Sequence, residues 1–256
     1  MNMPLLVVAK NTFKEMIRDR VLYFVIIFSI IFMALCFALG QLSYDEIFRL
    51  SVSLGLSGIH FCFAGLTIFL GCSVFYREIE RKTIYTLLVR PISRGQYLLG
   101  KYLGLVALLF TLLMGFGICF TLIEVLLGMP LLVTSYYAFI GFFFESCILL
   151  AVAFFFSSFS KPFLSISGSL AFFLVGHWVS NLKNLIEYSH NPTFALIAKG
   201  FSRIFPDLEA LNWRHFAIAR THVPLPELGY SVLLAIVWAA FFFLTALLVF
   251  RRKDFE

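Results

Sequence analysis

His60, Glu145 and His177 are ionisable side chains inside long apolar runs, and they are the first places to look for chemistry. A charge at the centre of such a run costs on the order of 3 kcal/mol on insertion scales. Glu145, set among Phe142, Phe143, Phe144 and Ile148, must be protonated, paired or turned to a wet interior. That leaves two readings: a carboxyl on a substrate path or dimer interface, or a neutral glutamate bonding a neighbouring helix. His60 and His177 read as hydrogen-bonding links between helices. Glu124 falls near the end of its run, where water is close. A metal path would stack His, Met or Cys along one helical face. Met3, Met16, Met33, Met114 and Met129 form no such ladder. Cys36, Cys62, Cys72, Cys119 and Cys147 stand singly, without the CxxC spacing of zinc or redox sites, and read as small core residues. No metal site is expected.

Two strings imitate catalytic motifs. Gly95-Gln-Tyr-Leu-Leu-Gly-Lys101 fits GxxxxGK, but Tyr102 stands where a phosphate loop needs Ser or Thr for Mg²⁺, and no strand precedes it. Work driven by ATP therefore requires a partner that binds the nucleotide. Gly55-Leu-Ser57-Gly58 is similar to the GxSG of rhomboid-type intramembrane proteases, with His177 available as base for Ser57. Small residues are also common at helix contacts in lipid. The serine and histidine fall in earlier spans than in rhomboids, and the further His and Asn residues of those enzymes are missing.

The elements that must position these residues are membrane spans. Of 256 residues 61% are apolar, 33 are Phe and only 13% are charged, where a soluble domain carries about 25%. Such a chain lacks the polar surface to clothe a globule. Gaps between charges give six spans, at 21–40, 54–76, 98–122, 136–158, 163–182 and 229–250. A turn is expected at Gly128-Met129-Pro130. Strict alternation is absent, so the spans are helices rather than barrel strands. Fourteen Lys and Arg lie on the side that holds both termini, against six on the other, which places the termini in the cytoplasm. The first span is too long for a cleavable signal and no small-x-small site follows it. Before it, Leu6, Ala9, Phe13, Met16 and Ile17 share one helical face and Lys10, Lys14 and Arg18 another, the pattern of an interface helix over 1–20. The net charge of +6 suits anionic lipid and calls for no nucleic acid.

The cytoplasmic loop at 77–97 is dense in charge from Arg77 to Lys82, then apolar at Ile84, Leu87 and Leu88 with helical spacing. Pro91 ends that helix and Ser93 caps the next. A short helix of this kind suits docking into a groove on a cytoplasmic partner. The run Glu78, Glu80, Thr83, Leu87, Leu88, Pro91, Ser93, Arg94, Leu98, Leu99, Gly100, Lys101 resembles the same loop in ABC-2-type (type V) exporter permeases. So do the segment from Phe205 to Arg214 before the last span and the tail from Phe250 to Phe255. The most similar subgroup contains the permease for nitrous-oxide-reductase maturation. Lys82 stands where the family often has Gly.

The resemblance implies an all-α integral membrane protein with one permease domain over 1–256, in a bacterial-type cytoplasmic membrane. It implies two permease subunits, a homodimer, above two separate ABC ATPase subunits that hold ATP and Mg, with no cofactor on this chain. Glu78, Glu80, Arg81, Thr83, Leu87, Leu88, Pro91 and Arg94 are then the residues that couple to the ATPase. The chain itself performs no chemistry. An ATP-coupled complex that remodels the envelope without net transport, or a rhomboid-like protease, are the alternatives. The loop at 183–227, punctuated by Pro192, Pro206, Pro224 and Pro226, reads as short amphipathic helices that lie on the outer face or dip into it. Trp213, Arg214 and His215 in it suit membrane anchors as well as ligand contacts.

Overall fold

The computed structural model describes residues 3–40, 47–80, 93–126, 128, 133–188, 192–219 and 224–252, and every regular element among them is a helix. Helix α1 spans Met3–Ile17, α2 Arg20–Gly40, α3 Ile47–Glu80, α4 Arg94–Leu126 and α5 Val133–Phe159. Helix α6 spans Pro162–Tyr188, α7 Pro192–Ile204, α8 Arg214–Ala219 and α9 Leu225–Arg252, with a 3₁₀ turn at Leu208–Leu211. Helices α3, α4, α5, α6 and α9 are long and apolar enough to cross a bilayer. Helix α2 coincides with the first expected span and is apolar, apart from Ser29, from Ile26 to Leu39. Gaps between charges mark the apolar slab, whereas a helix runs on into its polar flanks. Thus α3 starts before residue 54 and ends past residue 76, and α6 runs past residue 182.

Leu233, Val237, Phe241, Leu244 and Leu248 on α9 are exposed, as are Ile27, Ile31 and Leu35 on α2. Apolar stripes of this size face lipid, not water. The protein is an all-α integral membrane protein.

Helix α5 lies at the centre, with α9, α3, α6, α4 and α8 all packed on it. Ile148 to Phe154 is buried on every side, as befits an inner helix. Helix α3 runs parallel to it, His60 facing Glu145 and Gly71 facing Ala153. A Cβ on Gly71 would come within 2.7 Å of the Ala153 methyl, so small residues set this seam. Helix α1 is seated on α4. A Cβ on Gly104 would lie 2.5 Å from the Ala9 carbonyl, and one on Gly100 would lie 2.8 Å from Val8. Thr12 and Met16 are buried in that contact, while Leu6 and Val7 remain exposed. Helix α4 opens with a capping box, the Gln96 N–H donating to Ser93 Oγ (3.2 Å) and the Ser93 N–H to Gln96 Oε1 (3.4 Å). The expected turn carries Gly128 at φ 65°, a left-handed conformation that favours glycine.

Candidate functional site

The segment after α7 folds back into the bundle. Leu208 and Leu211 are fully buried, and Trp213 is buried with its Nε1–H donating to the Ala210 carbonyl at 3.0 Å. Trp213 is thus a core residue rather than a membrane anchor. The Leu211 carbonyl lies so close to Gly141 of α5 that any Cβ there would collide with it. A Cβ on Gly176 of α6 would come within 2.6 Å of the Leu208 side chain. These two glycines let the 3₁₀ turn settle onto α5 and α6, and the turn brings Glu209 and Arg214 to the site.

Three helices supply the centre. His60 of α3 shares a 2.7 Å hydrogen bond between Nε2 and Glu145 Oε2 of α5. His177 of α6 sets its Nε2 3.7 Å from Glu145 Oε1 and 3.8 Å from Glu209 Oε2. Glu145 is 1% exposed and the His60 side chain 7%. The rings hold each other in place: His60 stacks on Phe142 at 4.7 Å, and His177 lies 4.6 Å from Phe173 and 5.2 Å from His60. His177 Nδ1–H donates to the Phe173 carbonyl at 3.1 Å, which leaves the lone pair of the neutral ring on Nε2. His177 Nε2 and Glu145 Oε1 face each other, and neither has a hydrogen-bond partner among the described residues. One turn before His60, Ser57 accepts from Arg214 Nη1 at 2.8 Å and donates to the Ser53 carbonyl at 2.6 Å.

Each of the three ionisable residues was conspicuous in the sequence; that they meet was not. A search along single helices does not register ligands that come one from each of three. Glu145 is paired with His60, one of the three arrangements the sequence allowed. Glu209 gave no signal. Glu124, expected near water, is instead fully buried, with neither oxygen partnered among the described residues. Packing of the outer end of α4 buries it, which distance along the chain does not reveal. The GxSG serine is held by Arg214 and Ser53, and His177 faces Phe173, Glu145 and Glu209, so the two do not form a dyad. The GxxxxGK string is continuous helix at the start of α4, not a loop.

Of the residues expected to couple to an ATPase, Glu78 and Glu80 lie in the last turns of α3. Arg94, in the first turn of α4, donates from Nη1 to the Arg251 carbonyl at 3.1 Å and so ties α4 to the end of α9. Arg81, Thr83, Leu87, Leu88 and Pro91 fall outside the described residues. On the lipid side, α4 and α5 border a groove of about 860 Å³ lined by Phe110, Met114, Ile118, Phe139 and Phe143, which accepts apolar groups.

The sequence profile of the ABC-2 family transporter proteins matches residues 6–255. The chain belongs to the ABC-2 transporter family. It is a membrane permease component of an ABC transporter. No curated protein matches the permease. Family membership implies an ABC ATPase partner for it and a multi-pass place in a membrane.

Proposed function

We propose that this permease is the membrane half of an ATP-driven exporter, and that the end of α3 and the loop beyond it dock a separate ATPase. The observation that carries this reading is that one unbroken helix, α3, holds His60 in the buried polar cluster and ends in Glu78 and Glu80. At 1.5 Å per residue, His60 and Glu80 stand about 30 Å apart on one rod. Closure of an ATPase against the acidic end would tilt that rod and pull on the His60–Glu145 contact. The cluster then serves as the polar point of the path that opens and closes with each ATP cycle. Arg81, Thr83, Leu87, Leu88 and Pro91 complete the docking face, and Arg94, tied to Arg251, passes its movement to α9. Two copies of the permease pair above two ATPase subunits in a bacterial-type cytoplasmic membrane, both termini on the ATPase side.

The test is gentle purification of the chain from its native membrane beside an E78K/E80K variant. A stoichiometric ATP-hydrolysing subunit is expected with the unaltered chain and lost from the variant. A variant that keeps its ATPase bound, and stimulated as before, overturns the docking assignment.

A further inference from the structure

We infer that His60, Glu145 and His177 form a binding site for a divalent transition cation of the zinc class. This goes beyond the transport reading above, and its test needs no ATPase.

Three kinds of observation converge. First, the donor set is right. Two imidazoles and one carboxylate are the three-ligand set that borderline cations accept while keeping a fourth position open. Their ligand atoms lie within 4.8 Å of one another. Second, the electron pairs point inward without a proton donor between them. His177 Nδ1–H is committed to the Phe173 carbonyl, so neutral His177 offers Nε2 as a lone pair. It faces the Oε1 of Glu145 and the Oε2 of Glu209, which as carboxylate oxygens are acceptors too. With His177 neutral these are three acceptors turned on one another, an arrangement that a cation among them relieves. Third, the spacing suits a cation better than a direct contact. The 3.7 Å between Glu145 Oε1 and His177 Nε2 is too long for a hydrogen bond. Metal–ligand bonds of about 2.1 Å put tetrahedral ligands about 3.4 Å apart.

The His60–Glu145 contact is shorter, at 2.7 Å, and carries a proton. A cation takes the place of that proton, which leaves to solvent, and the edge widens by several tenths of an ångström. The Phe173 carbonyl already orients one imidazole, as outer partners of metal-bound histidines do. Glu209, 38% exposed and next to His177, supplies the way in. A divalent ion with the carboxylates of Glu145 and Glu209 is electrically neutral, which a buried site in lipid requires.

The experiment uses the full chain in detergent, stripped of metal and then exposed to Zn²⁺ alone, with bound metal counted after desalting. One Zn²⁺ per chain is expected. H60Q and H177Q should each lose it, E145Q should weaken it more than about 100-fold, and H215A should keep it. Co²⁺ in the unaltered chain should give the visible bands of a tetrahedral histidine site, a readout that stands even where a variant fails to fold. Several loosely held ions that desalting removes, an adventitious ion only, would overturn the proposal. So would a stoichiometric ion that survives both histidine substitutions, or Co²⁺ bands of six-coordinate aquo type.

Discussion

Gly141→Ala is the sharpest probe of how the site is assembled. The added methyl collides with the Leu211 carbonyl, and backbone on both sides leaves only one response: the 3₁₀ turn must lift by about 1 Å. Leu208, Leu211 and Trp213 are all buried there, and each holds on the order of 3 kcal/mol of packing. A gap of about 1 Å forfeits a quarter to a half of each contact. Lifting therefore costs roughly 2–5 kcal/mol, and at about 3 kcal/mol the docked state loses about 150-fold in population. Alanine also raises the helix propensity of α5 by up to about 1 kcal/mol, but this gain is the same whether the turn is docked or lifted and drops out. Gly115→Ala, on an exposed face of α4 with no atom near its new methyl, shares the gain without the collision and is the control. Hydrogen exchange read by mass spectrometry should show protection of residues 205–219 falling about 100-fold in G141A and unchanged in G115A. Equal protection in the two variants would refute the claim that Gly141 seats the turn.

Other substitutions separate the remaining contacts. Glu145→Ala strands His60 and His177 and should cost about 3 kcal/mol in a denaturation series; an H60L/E145L double variant should recover at least half of that. Arg214→Ala, which removes the donor to half-buried Ser57, should cost about 1–2 kcal/mol, with only partial rescue by R214K. Ser93→Ala breaks the capping box and should lose about 1 kcal/mol, seen as roughly fivefold faster exchange of the amides at 94–97. Gly104→Leu should force α1 from its seat, so that trypsin cuts at Lys10 and Lys14 about tenfold faster.

The helices were legible because lipid imposes one rule on every span: about 20 residues almost free of charge. That rule gave the approximate places of the five long apolar helices, and the Ser93 cap and Gly128 turn followed from local backbone chemistry. Ends were less legible, since α3 and α6 continue where lipid no longer dictates composition. The polar centre was half legible. A buried carboxylate demands a partner, so Glu145, His60 and His177 stood out, yet which of them meet depends on the parallel packing of α3 and α5. Glu209 was invisible for a further reason. It reaches His177 because Gly141 admits the Leu211 backbone and Gly176 the Leu208 side chain, and a lone glycine in an apolar helix carries no mark of what lies against it. Trp213 followed that segment inward, whereas aromatic residues beside arginine ordinarily mark a membrane surface.

The seat of α1 on Gly100 and Gly104 makes two elements into one mechanical part. The contact lies about 12 Å from the middle of α4, so a tilt of about 10° sweeps α1 sideways by about 2 Å. Leu6 and Val7 are on its exposed side, and that sweep drags them through whatever surrounds them. In the proposed ATP-driven cycle, the lipid around that face is then a viscous load on the moving helices. Its fluidity and lateral pressure set part of the work each stroke must do, and turnover in vesicles should slow as the bilayer stiffens.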